Sequence, residues 1–296
     1  MNHKLLRIIS ILTVGFTIII VGMNTNLMES GYNSSIKNNE LRISTISSKI
    51  HINNNWTDAK AAGICTGEGT ASNPYIIKDW VIDGGGTGSC ILIEISSAFF
   101  IIKNCSLTNS GKIFSDSGIG IYNSKYGLII NNFLYDNHIG ISLEGCNDTV
   151  ITGNDCDQCI GVQIFASNNI TVFYNNFVSG PILISDFVYY NSTVQWNSNQ
   201  RISYSYNGQT FNSYIGNYFE DYDGQDANDD GIGDNPLIID PHKPTPITVD
   251  SYVLMEPIEN YQLNVAGGIP SYNLLLFISV LCVSSLLLIK KFKKRL

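Results

Sequence analysis

The chain has 296 residues, a net charge of −8, 14% charged residues and 44% hydrophobic ones. That length suits one elongated domain with flanking segments. The negative balance argues against nucleic acid, because phosphate binding needs clustered Lys and Arg. Between residues 75 and 220 the basic residues are Lys78, Lys103, Lys112, Lys125 and Arg201, too scattered to line a groove.

Taken in chain order, residues 1–27 read as a signal peptide or signal anchor. Lys4 and Arg7 precede an apolar run from Ile8 to Met23, the layout of a secretory segment. Residues 28–55, rich in Asn, Ser and Thr, read as a spacer.

Residues 56–220 carry a repeat: an apolar residue, two residues, Asn, one residue, then usually an apolar residue. Its copies are Ile101-Asn104-Ser106, Leu128-Asn131-Phe133, Ile151-Asn154-Cys156, Val172-Asn175-Phe177, Val194-Asn197-Asn199 and Tyr214-Asn217-Phe219, with Ile76-Asp79-Val81 before them. The anchors stand 25, 27, 23, 21, 22 and 20 residues apart. Such a period, rich in Ile, Val, Asn and Gly, predicts a solenoid of one strand-turn coil per repeat. The fold class is therefore all-β, a right-handed parallel β-helix, since parallel crossovers are nearly always right-handed. Stacked anchors lie about 4.8 Å apart, so a ladder of Asn104, Asn131, Asn154, Asn175, Asn197 and Asn217 is expected.

Alternation along Gly118-Ile119-Gly120-Ile121, Gly140-Ile141-Ser142-Leu143 and Gly161-Val162-Gln163-Ile164 predicts strands with one buried face. The outward neighbours Glu94, Tyr122, Glu144 and Phe165 fall nine or ten residues before successive anchors. They form the expected ligand-binding column, where rings stack on sugars and carboxylates accept hydroxyl protons. Glu94 and Glu144 are also the nearest thing to a glycosidase pair, so a polysaccharide lyase or glycoside hydrolase is the alternative.

Cys65 and Cys90 each lie fourteen residues before an anchor, which predicts a disulfide between adjacent coils. Cys156 and Cys159 form a Cys-x-x-Cys with no helix after it for a thioredoxin-like site. With His138 alone the pair falls short of a zinc set, and Cys156 reads as a packed thiol.

Residues 221–260 form an acidic closing module. Asp226, Asn228, Asp230 and Asp234, with Gly231 at the turn, follow the start of a calcium loop. Calcium is therefore the expected cofactor, bound weakly because Leu237 replaces the twelfth-position Glu. Residues 261–271 read as a linker and 272–290 as a transmembrane helix. The basic tail 291–296 is then cytoplasmic, the bulk extracellular, and the membrane a partner through this anchor.

Three stretches resemble a known family. They are Gly67-Glu68-Gly69-Thr70-Ala71-Ser72-Asn73-Pro74-Tyr75-Ile76-Ile77, the Asn repeats, and a closing pattern. The last comprises Asn217-Tyr218-Phe219-Glu220-Asp221-Tyr222, Asp226-Ala227-Asn228-Asp229-Asp230-Gly231-Ile232-Gly233-Asp234-Asn235-Pro236 and Asp250-Ser251-Tyr252-Val253-Leu254-Met255-Glu256-Pro257. Together they are similar to NosD-like β-helix proteins of the archaeal cell surface, within the wider carbohydrate-binding and sugar-hydrolase β-helix class. The resemblance implies the β-helix fold and a class that holds both binders and enzymes. Because the coils show no catalytic set, a surface scaffold or adhesion role, with polysaccharide or a surface protein as partner, is the leading reading. The resemblance also implies NosD-like copper handling as a second alternative. His3, His51, His138, His242 and Met255 stand apart in the sequence, so the copper label attaches to no residue.

Overall fold

The computed structural model describes residues 46–113, 115–178, 192–239 and 249–264. Three parallel sheets wrap around one apolar interior. Face A holds seven strands, in the order Ile46–Ser47, Val81–Asp83, Ser106–Thr108, Phe133–Tyr135, Asp155–Asp157, Asn176–Val178 and Tyr218–Phe219. Face B stacks Ile50–Asn53, Ile91–Glu94, Ser117–Tyr122, Ile139–Glu144 and Ile160–Phe165. Face C stacks Tyr75–Lys78, Phe100–Lys103, Gly127–Ile130, Asn147–Thr152, Asn168–Phe173 and Val194–Gln195. Each coil visits C, A and B in turn, so the chain is an all-β parallel solenoid. Its first strands lie before residue 56, within the stretch read as spacer, and a short helix, Trp56–Ala61, interrupts the first coil.

Inward residues repeat in register. Ile91, Ile119, Ile141 and Val162 form one column on face B, with Ile93, Ile121, Leu143 and Ile164 beside it. On face A the inward column runs Ile82, Leu107, Leu134, Cys156, Phe177 and Phe219. All of these are buried. Stacked like on like, the columns take the interior out of water at roughly 25 cal/mol per Å².

The corner between faces C and A carries the polar ladder, which runs Asn132, Asn154, Asn175 and Asn217. Each amide Nδ2 donates to the next Oδ1, at 2.9, 3.0 and 2.9 Å, and the same oxygens accept the backbone N–H of the preceding ladder residue. Asp250 ends the ladder, accepting both the backbone N–H and the Nδ2 of Asn217, at 2.8 and 3.0 Å. Burial pushes the Asp250 carboxyl up to about 7, against the N–H groups that favour its charge.

Asn104, Asn131 and Asn197 are not in this ladder. Asn104 and Asn131 are exposed, one residue ahead of the inward position, with left-handed φ of 55° and 54°. Cys105 and Asn132 take the inward places, and Asn132 Oδ1 accepts the Cys105 N–H. Asn tolerates the left-handed region better than most residues, so it serves two different places at one corner. At the later copy, Trp196 is the buried residue and Asn197 Nδ2 donates to the Ser198 carbonyl.

The solenoid is interrupted late. Ile202–Tyr206 and Gln209–Ser213 form an antiparallel hairpin, to which Gln262–Leu263 adds a third strand. Tyr261 and Leu263, in the stretch read as linker, are buried. Among the described residues no helix is long and apolar enough to cross a membrane. The signal segment 1–27, the transmembrane span 272–290 and the tail 291–296 lie outside the described residues.

Candidate functional site

The outward column of face B is in register: Glu94 pairs with Tyr122, Tyr122 with Glu144, and Glu144 with Phe165. Glu94 and Tyr122 already hold structure. Glu94 accepts from His51 Nε2 at 2.5 Å, and the Tyr122 hydroxyl donates to the Ser115 carbonyl at 2.9 Å. Burial, opposed by a Ser142 hydrogen bond and aided by Glu144, raises the Tyr122 hydroxyl above its usual range. Glu144 and Phe165 are exposed.

Face A carries a second surface that alternation alone does not pick out. Phe133 points outward, 42% exposed. Tyr135 shares its strand and face, with ring centroids 6.1 Å apart and planes within 8°. On the next coil Asp155 pairs with Phe133 and Asp157 with Tyr135. Two near-parallel rings thus lie one rung, about 4.8 Å, from two carboxylates. Burial, with Glu259 and Asp157 adding, pushes Asp155 up to about 6. One coil further, Asn176 accepts the Ile258 N–H and donates to Glu259 at 3.2 Å, so the closing segment bounds this surface. The repeat reads Phe133 as core because it is the apolar residue two places after Asn131. The one-residue slip at that corner turns it outward and puts Leu134 inside.

Cys65 and Cys90 do not form the expected disulfide; both are buried free thiols. Cys90 immediately precedes Ile91, whose partner is Ile50, so its neighbour across the sheet is Lys49 rather than Cys65. Cys65 lies in the cap, where its Sγ approaches the Trp56 carbonyl at 4.0 Å. The shared spacing fails because the Gly-rich cap does not keep the coil register.

Asp226, Asn228, Asp230 and Asp234 come together in one loop. Asp226 accepts the N–H groups of Asp230 and Gly231, Asn228 also accepts that of Asp230, Asp230 that of Ile232, and Asp234 that of Ala227. Gly231 sits at a left-handed φ of 83°. Burial raises the Asp230 carboxyl, with Asp226 adding and the Ile232 N–H opposing. Among the described residues no group of three or more His, Cys, Asp or Glu is placed to hold a metal ion.

A family profile described as periplasmic copper-binding protein (NosD) matches residues 14–224, well over half of the chain. The chain belongs to the NosD family. No curated protein and no solved structure matches it. The family description names copper binding, so the His and Cys donors of this chain are relevant. His51 is bonded to Glu94. Cys90, Cys105 and Cys146 are buried, donate to the carbonyls of Thr108, Lys103 and Ile121, and are pushed up to about 11 by burial. Such thiols are packing groups. Cys156 and Cys159 differ, because both sulfurs face the same space over Gly140. A Cβ there would stand 3.0 Å from Cys156 Sγ and 3.2 Å from Cys159 Sγ. Among the described residues no further His, Cys, Asp or Glu joins this pair to make a group of three.

Proposed function

We propose that this NosD-family protein is an extracytoplasmic scaffold that binds neutral polysaccharide along face A of its solenoid. The observation that carries this reading is the exposed Phe133 ring beside Tyr135, in register with Asp155 and Asp157. Rings of this kind stack on the apolar face of a sugar. Carboxylates one rung away accept the hydroxyl protons at its edge. The net charge of −8 repels polyanionic chains, so neutral polymers are the favoured class. The regular rung spacing lets an extended polymer lie across successive coils.

A glycan array probed with the full chain tests this. Changing Phe133 and Tyr135 together to Ser is expected to lower binding to neutral glycans at least tenfold. The melting temperature should move little, because Phe133 is exposed and Tyr135 half-buried. Changing Tyr122 and Phe165 to Ser is the comparison, and binding should survive it. Loss of binding in the second pair alone would move the function to face B, where Glu94, Tyr122, Glu144 and Phe165 stand. Absence of glycan binding by the parent chain would overturn the proposal.

A further inference from the structure

Resting on the face A reading above, we propose that this surface takes the end of a neutral polysaccharide chain, with Glu259 of the closing segment selecting a free terminal hydroxyl over a continuing glycosidic bond. The ring platform is open on one side and walled on the other. Toward the first coils its neighbours are Ser106 and Thr108, then Val81 and Asp83. Asp83 already accepts the Gly85 N–H and the Asn109 amide, at 2.8 Å each. Toward the later coils, Asp155 and Asp157 are followed by Asn176 and Val178. A short 3-10 turn, Ile258–Asn260, stands over Asn176. Asn176 Oδ1 accepts the Ile258 N–H at 2.9 Å and its Nδ2 donates to Glu259 at 3.2 Å, and Asn176 is only 4% exposed. Tyr174 fixes the turn, its hydroxyl donating to the Ile258 and Tyr261 carbonyls at 3.0 and 2.9 Å. A polymer running along the coils therefore stops at this turn.

The wall offers carboxylate acceptors and no cationic donor. No Lys, Arg or His lies on any strand of face A or in residues 249–264. Burial, then Glu259, then Asp157 raise the Asp155 carboxyl, so the three acids share one small region. Glu259 is exposed, and the bond from Asn176 holds it there while leaving lone pairs for a ligand. Both ends of a sugar chain carry hydroxyl groups that donate, whereas the oxygen of a glycosidic bond carries no proton. Set against carboxylates, a terminal hydroxyl gains a hydrogen bond, and a glycosidic oxygen leaves acceptor facing acceptor. Sites built to bond a hydroxyl reject the analogue that lacks it far more strongly than sites that merely fit its shape. Blockage by the turn and the excess of acceptors thus favour the same ligand feature, a chain end. Asn176 is the positioning residue, since it touches the turn and Glu259 rather than the sugar.

The test measures binding of the full chain to linear neutral hexaoses (malto-, cello-, laminari- and mannohexaose), each free and end-blocked. One block is a methyl ether on the non-reducing hydroxyl through which the chain would extend; the other is a methyl glycoside at the reducing carbon. For a hexaose that binds, one of the two blocks should lower the affinity about tenfold or more. Glu259→Gln keeps an acceptor for Asn176 Nδ2, so the turn stays, and it places an amide donor at the wall. In that variant the difference between free and blocked hexaoses should shrink to about threefold or less, with an unchanged melting temperature. The blocked sugars act on the parent chain, so a variant that fails to fold leaves the decision intact. Equal binding of free and blocked hexaoses by the parent chain, or an undiminished difference in Glu259→Gln, would overturn chain-end recognition and leave the face A reading in place. Binding of none of the hexaoses would overturn both.

Discussion

Asn154 is fully buried, and every polar group of its amide is used. Oδ1 accepts from the Asn132 backbone and side chain, while Nδ2 donates to Ile129, Thr152 and Asn175. Removing the amide strands several buried partners, each costing about 1–3 kcal/mol. Asn154→Ala should therefore destabilise by about 3 kcal/mol or more in denaturant melts. Asn131→Ala loses no ladder bond and meets the left-handed penalty of about 1–2 kcal/mol. Equal losses at the two positions would mean that the ladder is not what holds the corner. Cysteine reactivity separates along the same line. Iodoacetamide on the folded chain at neutral pH should label Cys159 well before Cys90, Cys105 or Cys146, whose burial disfavours the thiolate. Peptide mass mapping reads the order directly.

At the scale of elements, the closing segment hangs on Tyr261. Its hydroxyl donates to the Gly231 carbonyl and its carbonyl accepts from Tyr174, while its ring stacks on Tyr206 at 4.8 Å. Tyr261→Ala should cost about 3–5 kcal/mol and expose residues 221–239 and 249–264 to protease before the coils open. In the acidic loop the carboxylates already bond backbone N–H groups, so calcium must displace some of them. A melting shift is accordingly expected at millimolar calcium and not at micromolar calcium; no shift at either would remove the ion from this loop. Face B was the most readable element in the sequence because each coil there repeats Ile, Val or Leu at every second place. The corner was half readable. A tandem such as Asn131-Asn132 offers two residues for one inward place, and Cys105 fills that place with no amide to signal it. The Ile202–Ser213 hairpin left no trace in the period, because an antiparallel excursion adds residues without adding a rung. Phe133 was hidden for the related reason that a one-residue slip exchanges the faces of a strand.

For the whole molecule, pH acts through the end of the ladder. Asp250 is fully buried, and its carboxyl is raised to about 7 from an ordinary value near 3.8. A raised acid favours folding fully below its unfolded range, and that contribution is lost as pH rises through about 7. The melting temperature of the parent chain should fall between pH 5 and 8 more steeply than that of Asp250→Asn. Parallel pH profiles would show that Asp250 does not set the slope. The same residue gives the solenoid a definite length. Every Asn in the column takes hydrogen bonds with its oxygen and passes them on through its nitrogen, so nothing within the repeat says where stacking ends. The two Asp250 oxygens accept from Asn217 and Tyr252, and the side chain has no amide nitrogen to pass the chain of bonds on. Asp250 acts as a full stop in that grammar, and a second copy of the chain finds no offered amide on which to continue the column.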